Sequence, residues 1–514
     1  MQNKFFFGKD TLTVQTAILL AQKKVKGSLH EETVKKINES QHYVQQMVDA
    51  GKTVYGITTG FGILANTKIS EEDTATLQYK ILQSHSVGVG DPAPPEIVRL
   101  MIITKVQALS KGFSGVQLST IERLLWHLEE DVIPVVPEKG SVGASGDLAP
   151  LAHLCLPLIG LGEVFYKGQK RTTASVFSEL KMSPVTLGPK EGLALINGTQ
   201  FILAYAIKAV QRMHNCLEAA DIIGAMSLEA LTGTKAPFDE RLHQLRPFEG
   251  SQLVAKRLRL LLDDSEIMQS HIDCGRVQDP YSLRCMPQVH GASRNAWLHL
   301  KMLTEIEANS VTDNPVVFGE DDTISGGNFH GQPLALPLDY ACFAASEIGN
   351  ISDRRCYLLL EGKWGLPMLL MKKVGLNSGF MIPQYTTAAL VTENKTLCFP
   401  SSADSIPTSL GQEDHVSMGS ISGRKLNTVL DNLEFILAIE LLSACQAIEF
   451  RRPLKSSAIL EFAHDYVRKF VSFAEEDRIF ADDINQIKNI IADFSFVNNV
   501  HQFASSNKIP LSSA

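Results

Sequence analysis

The sequence predicts a mainly α-helical protein built on long central helices. Three observations predict this. The run after Thr199, FILAYAIKAVQRMHNCLEAADIIGAMSLEALTG, contains no proline and places apolar residues every three or four positions. Similar runs follow at 293–310, 338–360 and 425–450. Strand signals are few and short. Helices this apolar, with small residues where they can approach closely, belong in a bundle buried on several sides.

The elements follow in order. The first region, 1–192, mixes short helical patterns with glycine-rich turns. Residues 118–130 follow Gly115 and carry Leu118, Ile121, Leu124, Leu125 and Leu128 at helical spacing, ending before Pro134. Short pairings are expected at 132–136, 163–166 and 316–318. Residues 193–455 hold the long-helix bundle, and Gly233 is the expected stop of its first helix. Pro337 is read as standing just before the 338–360 helix, where its missing N–H is harmless. Leu338, Cys342, Ala345, Ile348 and Ser352 then mark one face of that helix. A C-terminal helical region, 456–514, completes one continuous unit, because no repeat, low-complexity stretch or linker interrupts the chain.

Composition narrows the function. A chain of 514 residues can bury a core that needs neither disulfide nor metal. A net charge of −8 argues against a nucleic-acid partner, which demands a basic footprint. The eight cysteines are scattered with no C-x-x-C pair, as expected of reduced thiols in a cytoplasmic protein. The opening MQNKFFFGKDTL lacks the pattern of a signal peptide. The apolar stretch 148–162 is broken by Pro, Gly and His, so no membrane span is expected.

The stretch at 140–154, GSVGASGDLAPLAHL, invites a chemical reading. It has no lysine for a phosphate loop and fails G-x-G-x-x-G. Its second glycine arrives one position too early for a hydrolase nucleophile elbow. Two readings fit. One is a structural turn using glycine at positive φ. In the other, the Gly146 nitrogen attacks the Ala144 carbonyl carbon and closes a five-membered ring. Two waters leave, one carrying the Ser145 hydroxyl, and an exocyclic methylene remains. That chemistry wants a minimal residue, then a β-hydroxyl, then an unhindered nitrogen, and Ala144-Ser145-Gly146 supplies them in order. The product, a 4-methylidene-imidazol-5-one, is an electrophile that no standard side chain offers.

This stretch resembles the signature of the aromatic amino acid ammonia-lyases. The resemblance runs from about residue 51 to 452 through several motifs in order, and lies nearest the histidine-acting members. It implies a mainly helical homotetramer with shared active sites, a self-made methylidene-imidazolone and no external cofactor or metal. The implied reaction takes L-histidine to trans-urocanate and ammonia.

The resemblance also implies roles. In YGITTGFG, Tyr55 matches the base that removes the β-proton; its ordinary pKa of about 10 requires neighbouring positive or donor groups. Thr58 stands where the family usually has Asn. Ser84 and His85, read as lying in a loop, match the pocket for the substrate side chain, and a polar pair suits imidazole. Tyrosine-acting members can also have His there. Asn197, at a position typical of a helix cap, matches a residue that hydrogen-bonds the ring cofactor, and Phe329 lies near it. In VQDPYSLRC, Arg284 matches the clamp for the substrate carboxylate, with Tyr281 and Gln278 near the reacting centre. Glu413, beside Gln412, matches the carboxylate that faces imidazole in histidine-acting members and that phenylalanine- and tyrosine-acting members typically lack. Met381 belongs to the same histidine-type pattern. Gln332 and Gly411 replace the commoner Glu and Asn. The competing readings are a tyrosine or phenylalanine lyase or aminomutase of the same fold, and a non-catalytic helical scaffold.

Overall fold

The computed structural model describes residues 4–511, apart from 53, 55, 58, 60–70 and 274 and the side chains of 71–75. It is mainly helical, as the sequence predicts, and divides into two compact units. The first comprises 1–209, 300–339 and 400–424; the second comprises 210–299, 340–399 and 425–514.

The first unit holds the short elements. Strands Lys4–Phe7 and Lys26–Leu29 pair in parallel. Ile133–Pro134, Glu163–Tyr166 and Gln169–Thr172 form a three-stranded antiparallel sheet. Val316–Gly319 pairs with Asp322–Ile324. The expected strands are therefore present, the first two paired with each other, and the sequence reading lacked the additional partners at 169–172 and 322–324. The Leu118–Glu129 helix has nearly the predicted bounds and buries Ile121 and Leu124. The Pro95–Leu109 helix begins on proline at its first position, where no N–H is needed, and is buried almost throughout.

The second unit is a packing of long helices. From Val210 to Ala230 the Gln200–Ala230 helix buries apolar and small residues on every side, among them Cys216, Ala220, Ile223 and Met226. This all-round burial explains why its apolar positions do not collapse into one stripe. Its end corrects one expectation. Thr232 takes the left-handed conformation, at φ +48°, and the Gly233 N–H closes back onto the Leu228 carbonyl at 2.8 Å. Gly233 is needed for room, since a Cβ there would sit 2.9 Å from Leu228 Cγ.

Three other helices begin earlier than the sequence suggests. The Met286–Glu307 helix starts ahead of the periodic run at 293. The Gln332–Leu360 helix carries Pro337 inside it rather than in front of it. Proline there removes one backbone bond near the amino end, which the rest of a long buried helix outweighs. The Gly419–Glu449 helix likewise starts before the predicted 425.

Candidate active site

Glycine conformation shapes the Ala144-Ser145-Gly146 turn. Gly143, Ser145 and Gly146 have φ of +73°, +49° and +84°. Such values are costly for a residue with a side chain and mark strain held by the surroundings. Two neighbours hold it. A Cβ on Gly146 would lie 2.1 Å from the Gly198 carbonyl oxygen, so only glycine fits there. A Cβ on Gly143 would lie 2.0 Å from Ser417 Oγ. The Met418 N–H donates to Val142 O at 2.9 Å, and the Ser420 hydroxyl donates to Ser141 O at 2.7 Å.

Asp147 fastens the other side. Its N–H donates to Gly198 O at 2.7 Å. Its carboxyl accepts the N–H groups of Phe201 and Ile202 at 3.1 and 2.9 Å, and the Ser141 hydroxyl at 2.8 Å. A carboxylate at a helix amino end meets free N–H groups and the favourable end of the dipole. Burial nevertheless pushes it up to about 6.

A cavity of about 480 Å³ opens onto this turn. Ala144, Ser145, Asn197, Phe329, Gln412 and Glu413 line it, together with His330 and His415. The Ser145 hydroxyl donates to Glu413 Oε1 at 2.8 Å, and the Thr408 hydroxyl holds the other carboxylate oxygen at 2.9 Å. His85 is near enough for Glu413 to act on its charge. Burial lowers the His85 pKa, and the Ile81 carbonyl and Glu413 oppose that shift. Its Nδ1 lies 3.0 Å from Ser84 Oγ. Ser84 and His85 end the Glu71–His85 helix rather than lying in a loop.

Asn197 also differs from its expected setting. It closes the short Glu191–Ile196 helix, with its N–H on Leu193 O, and does not cap the long one. Its Oδ1 is buried and, among the described residues, has no hydrogen-bond partner. A buried amide oxygen left unpaired at a cavity wall is an acceptor without a donor, a group that a native structure rarely leaves unsatisfied.

His330 ties two of the lining loops together. Its Nε2–H donates to His415 O at 3.2 Å, and its Nδ1 accepts the Gln332 N–H at 3.3 Å. The two imidazoles stack with centroids 5.6 Å apart. Gln332 Nε2 reaches Ser402 O at 3.5 Å, so the residue that departs from the commoner Glu is part of the loop scaffold. Gly411 stands at φ +89° with open space around it.

The family profile for aromatic amino acid lyases matches residues 12–469. The chain belongs to the aromatic amino acid lyase family. It is 44% identical over 504 residues to a histidine ammonia-lyase of Pseudoalteromonas atlantica, covering 98% of this chain and 99% of that one. A solved histidine ammonia-lyase from Trypanosoma cruzi superposes with a TM-score of 0.90 at 41% identity, covering 97% of this chain and 95% of that one. A tyrosine aminomutase from Streptomyces globisporus superposes with a TM-score of 0.92 at 33% identity, covering 98% and 99%. Backbone likeness alone therefore does not separate histidine-acting from tyrosine-acting members.

Of the residues singled out in the sequence, the first unit brings Ala144, Ser145, Gly146, Asn197, Phe329, Gln412, Glu413 and His85 to this site. Tyr55 and Thr58 lie outside the described residues. Gln278, Tyr281, Arg284 and Met381 belong to the second unit. There Tyr281 and Arg284 form a one-turn helix, with the guanidinium 4.6 Å from the Tyr281 ring centroid. Arg284 Nε is buried and has no hydrogen-bond partner among the described residues. Met381 opens the Met381–Leu397 helix.

Sequence reasoning missed Asp147, Lys105, Thr408 and His330. Asp147 directly follows the Ala144-Ser145-Gly146 triplet, and Lys105 is the lone charge within IVRLMIITKVQAL after Arg99. Those were the available signals. Among the described residues no helix is long and apolar enough to cross a membrane, no metal-binding cluster occurs, and Cys155, Cys216, Cys285, Cys356 and Cys445 are free thiols.

Proposed function

We propose that this protein is a histidine ammonia-lyase, eliminating ammonia from L-histidine to give trans-urocanate. The observation that carries the reading is the Glu413 carboxylate, 2.8 Å from the Ser145 hydroxyl across the cavity. A carboxylate there recognises the N–H of an imidazole and has no counterpart to bind on a phenyl ring. The Ser145 hydroxyl is also the group that cyclisation expels, so its loss leaves Glu413 facing the substrate.

The residues present fit a 4-methylidene-imidazol-5-one made from Ala144, Ser145 and Gly146. The triplet is bent at positive φ, Gly146 admits no side chain, and Asn197, whose side-chain oxygen is unpaired, lies at the wall. Once formed, that group would supply an electrophilic methylene able to make the substrate amine a better leaving group. Asn197 and Phe329 support it, and no external cofactor is needed.

The remaining work falls to side chains. Glu413 and His85 hold the imidazole, with Ser84, Gln412 and Met381 shaping its pocket. Arg284 grips the α-carboxylate as a bidentate partner. Tyr55 takes the β-proton, with Tyr281 and Gln278 beside the reacting centre. Fixing the substrate so that its β-carbon faces the base contributes up to ~7–11 kcal/mol. The working form is a cytoplasmic homotetramer whose sites draw residues from more than one chain.

Purified protein incubated separately with histidine, tyrosine and phenylalanine tests the reading. Ultraviolet absorbance of the unsaturated acid should grow with histidine. Growth with tyrosine and none with histidine would move the chain to the tyrosine-acting branch. No growth with any substrate, together with an unmodified Ser145 by mass spectrometry, would favour a non-catalytic scaffold.

A further inference from the structure

We propose that Lys105 is a positioning residue for this site, a buried cation that polarises the Ser145 carbonyl oxygen through the Asn197–Gly198 peptide. The inference rests on the self-made electrophile proposed above.

Lys105 lies in the Pro95–Leu109 helix and is 1% exposed. Its ammonium donates to Asn197 O at 2.6 Å and approaches Gln200 Oε1 at 3.5 Å. Asn197 ends a helix, where the carbonyl is free and a cation is favoured. The other side of the same peptide faces the reacting turn. The Gly198 N–H donates to Ser145 O at 3.4 Å, and Gly198 O accepts the Asp147 N–H at 2.7 Å.

A peptide group is conjugated, so a charge pulling on its oxygen strengthens its N–H as a donor. Ser145 O is where negative charge gathers when a nucleophile adds to Ser145 Cβ. The new bond forms at Cβ, and the Cβ=Cα electron pair shifts toward the carbonyl. A proton from water then completes the adduct. A donor aimed at that oxygen acts as an oxyanion hole does. The 3.4 Å separation is long at rest, and such contacts tighten as charge develops. Packing alone gives no reason for lysine here, since burying an ammonium is unfavourable and methionine has a similar shape. The charged or titratable groups facing it are Asp313, Cys155, Lys190 and Asp147. Burial, opposed chiefly by Asp313, brings its pKa down to about 8.

Cyanide trapping on the full-length protein tests this without histidine turnover. Mass spectrometry should find the wild-type chain two waters lighter than its sequence, gaining one HCN on exposure to cyanide. Lys105→Met removes donor and charge, and Lys105→Gln keeps a donor without the charge. Both should keep the cyclised mass yet trap cyanide about tenfold to hundredfold more slowly. The kcat for histidine should fall in parallel with little change in KM, and Lys105→Arg should restore much of the trapping rate. In the wild type the rate per cyanide anion should fall as pH rises through about 8. Cyclised Met and Gln variants that trap at the wild-type rate would overturn the proposal. Should those variants not fold, a wild-type rate per anion that stays flat across that pH range would overturn it. A wild-type chain of full, uncyclised mass would instead sink the functional reading, and this inference with it.

Discussion

In the second unit Glu218 and Asp221 are buried, and each meets two guanidinium groups. Arg257 and Arg294 both lie 2.8 Å from each carboxylate. His290 reaches Asp221 at 2.9 Å, and Arg355 binds Glu440. In the first unit Asp147 and Lys105 are equally buried but are held by neutral groups: backbone N–H and a hydroxyl for one, a carbonyl and an amide for the other. The consequences run in opposite directions. Burial works to raise Glu218 and Asp221, yet their partners outweigh it and hold both below the usual carboxylate range. Burial wins at Asp147, pushed up to about 6, and at Lys105, brought down to about 8. The contrast is local, because Lys190 and Asp313 form a buried pair at 2.8 Å in the first unit too. Charges that neutralise one another fix packing. Charges left against neutral dipoles beside a cavity are poised for chemistry.

The comparison can be broken at either end. The largest expected effect is on the chemistry. Ser145→Ala removes the methylene source and should lower kcat by roughly 10³-fold or more, with thermal unfolding unchanged, since an electrophile cannot be replaced by the remaining positioning groups. Retained activity would refute the self-made electrophile. Next comes the ion network. Arg294→Met leaves two buried carboxylates short of a partner and should reduce stability by about 3–5 kcal/mol in a denaturant titration. The folded fraction should still trap cyanide at the wild-type rate; a slower rate would show that the network also serves the site.

Glu413→Gln keeps the shape and removes the charge. It should reduce kcat/KM for histidine by about 10²-fold, measured by urocanate absorbance, with cyanide trapping preserved. The smallest effect is a pH difference. The folded pKa of Asp147 is raised, so the fold binds a proton that the unfolded chain, near 3.9, still releases. The resulting stability is fully present below the unfolded value and is lost as pH rises through about 6. Relative to Asp147→Asn, the wild type should therefore gain on the order of 1–3 kcal/mol as pH falls from about 6 to about 4. Parallel stability curves for the two proteins would show that Asp147 is not so perturbed.

Much of the site could be read locally. Ala144-Ser145-Gly146 stands out by composition, and the motif around Glu413 carries its resemblance in a few residues. What could not be read was the support. Asp147 reaches N–H groups more than 50 positions away, at 201 and 202. Lys105 finds its carbonyl 92 positions on. Asn197 looked like a cap for the long helix and instead closes a shorter one, because local cap preference does not say which of two adjacent helix ends will use it. Pro337 was placed outside its helix by the same local logic, which burial of the whole element overrides.

By itself the sequence determined the helical class and marked out the Ala144-Ser145-Gly146 triplet. Helical period is written in apolar spacing, and the triplet needs only its own three residues to define what it can become. Only the tertiary structure decided that Glu413, 268 positions from Ser145, accepts its hydroxyl, and that a lysine on a distant helix holds the peptide beside it. Those contacts depend on how packed elements bring remote groups within hydrogen-bond reach, and no local pattern encodes that distance.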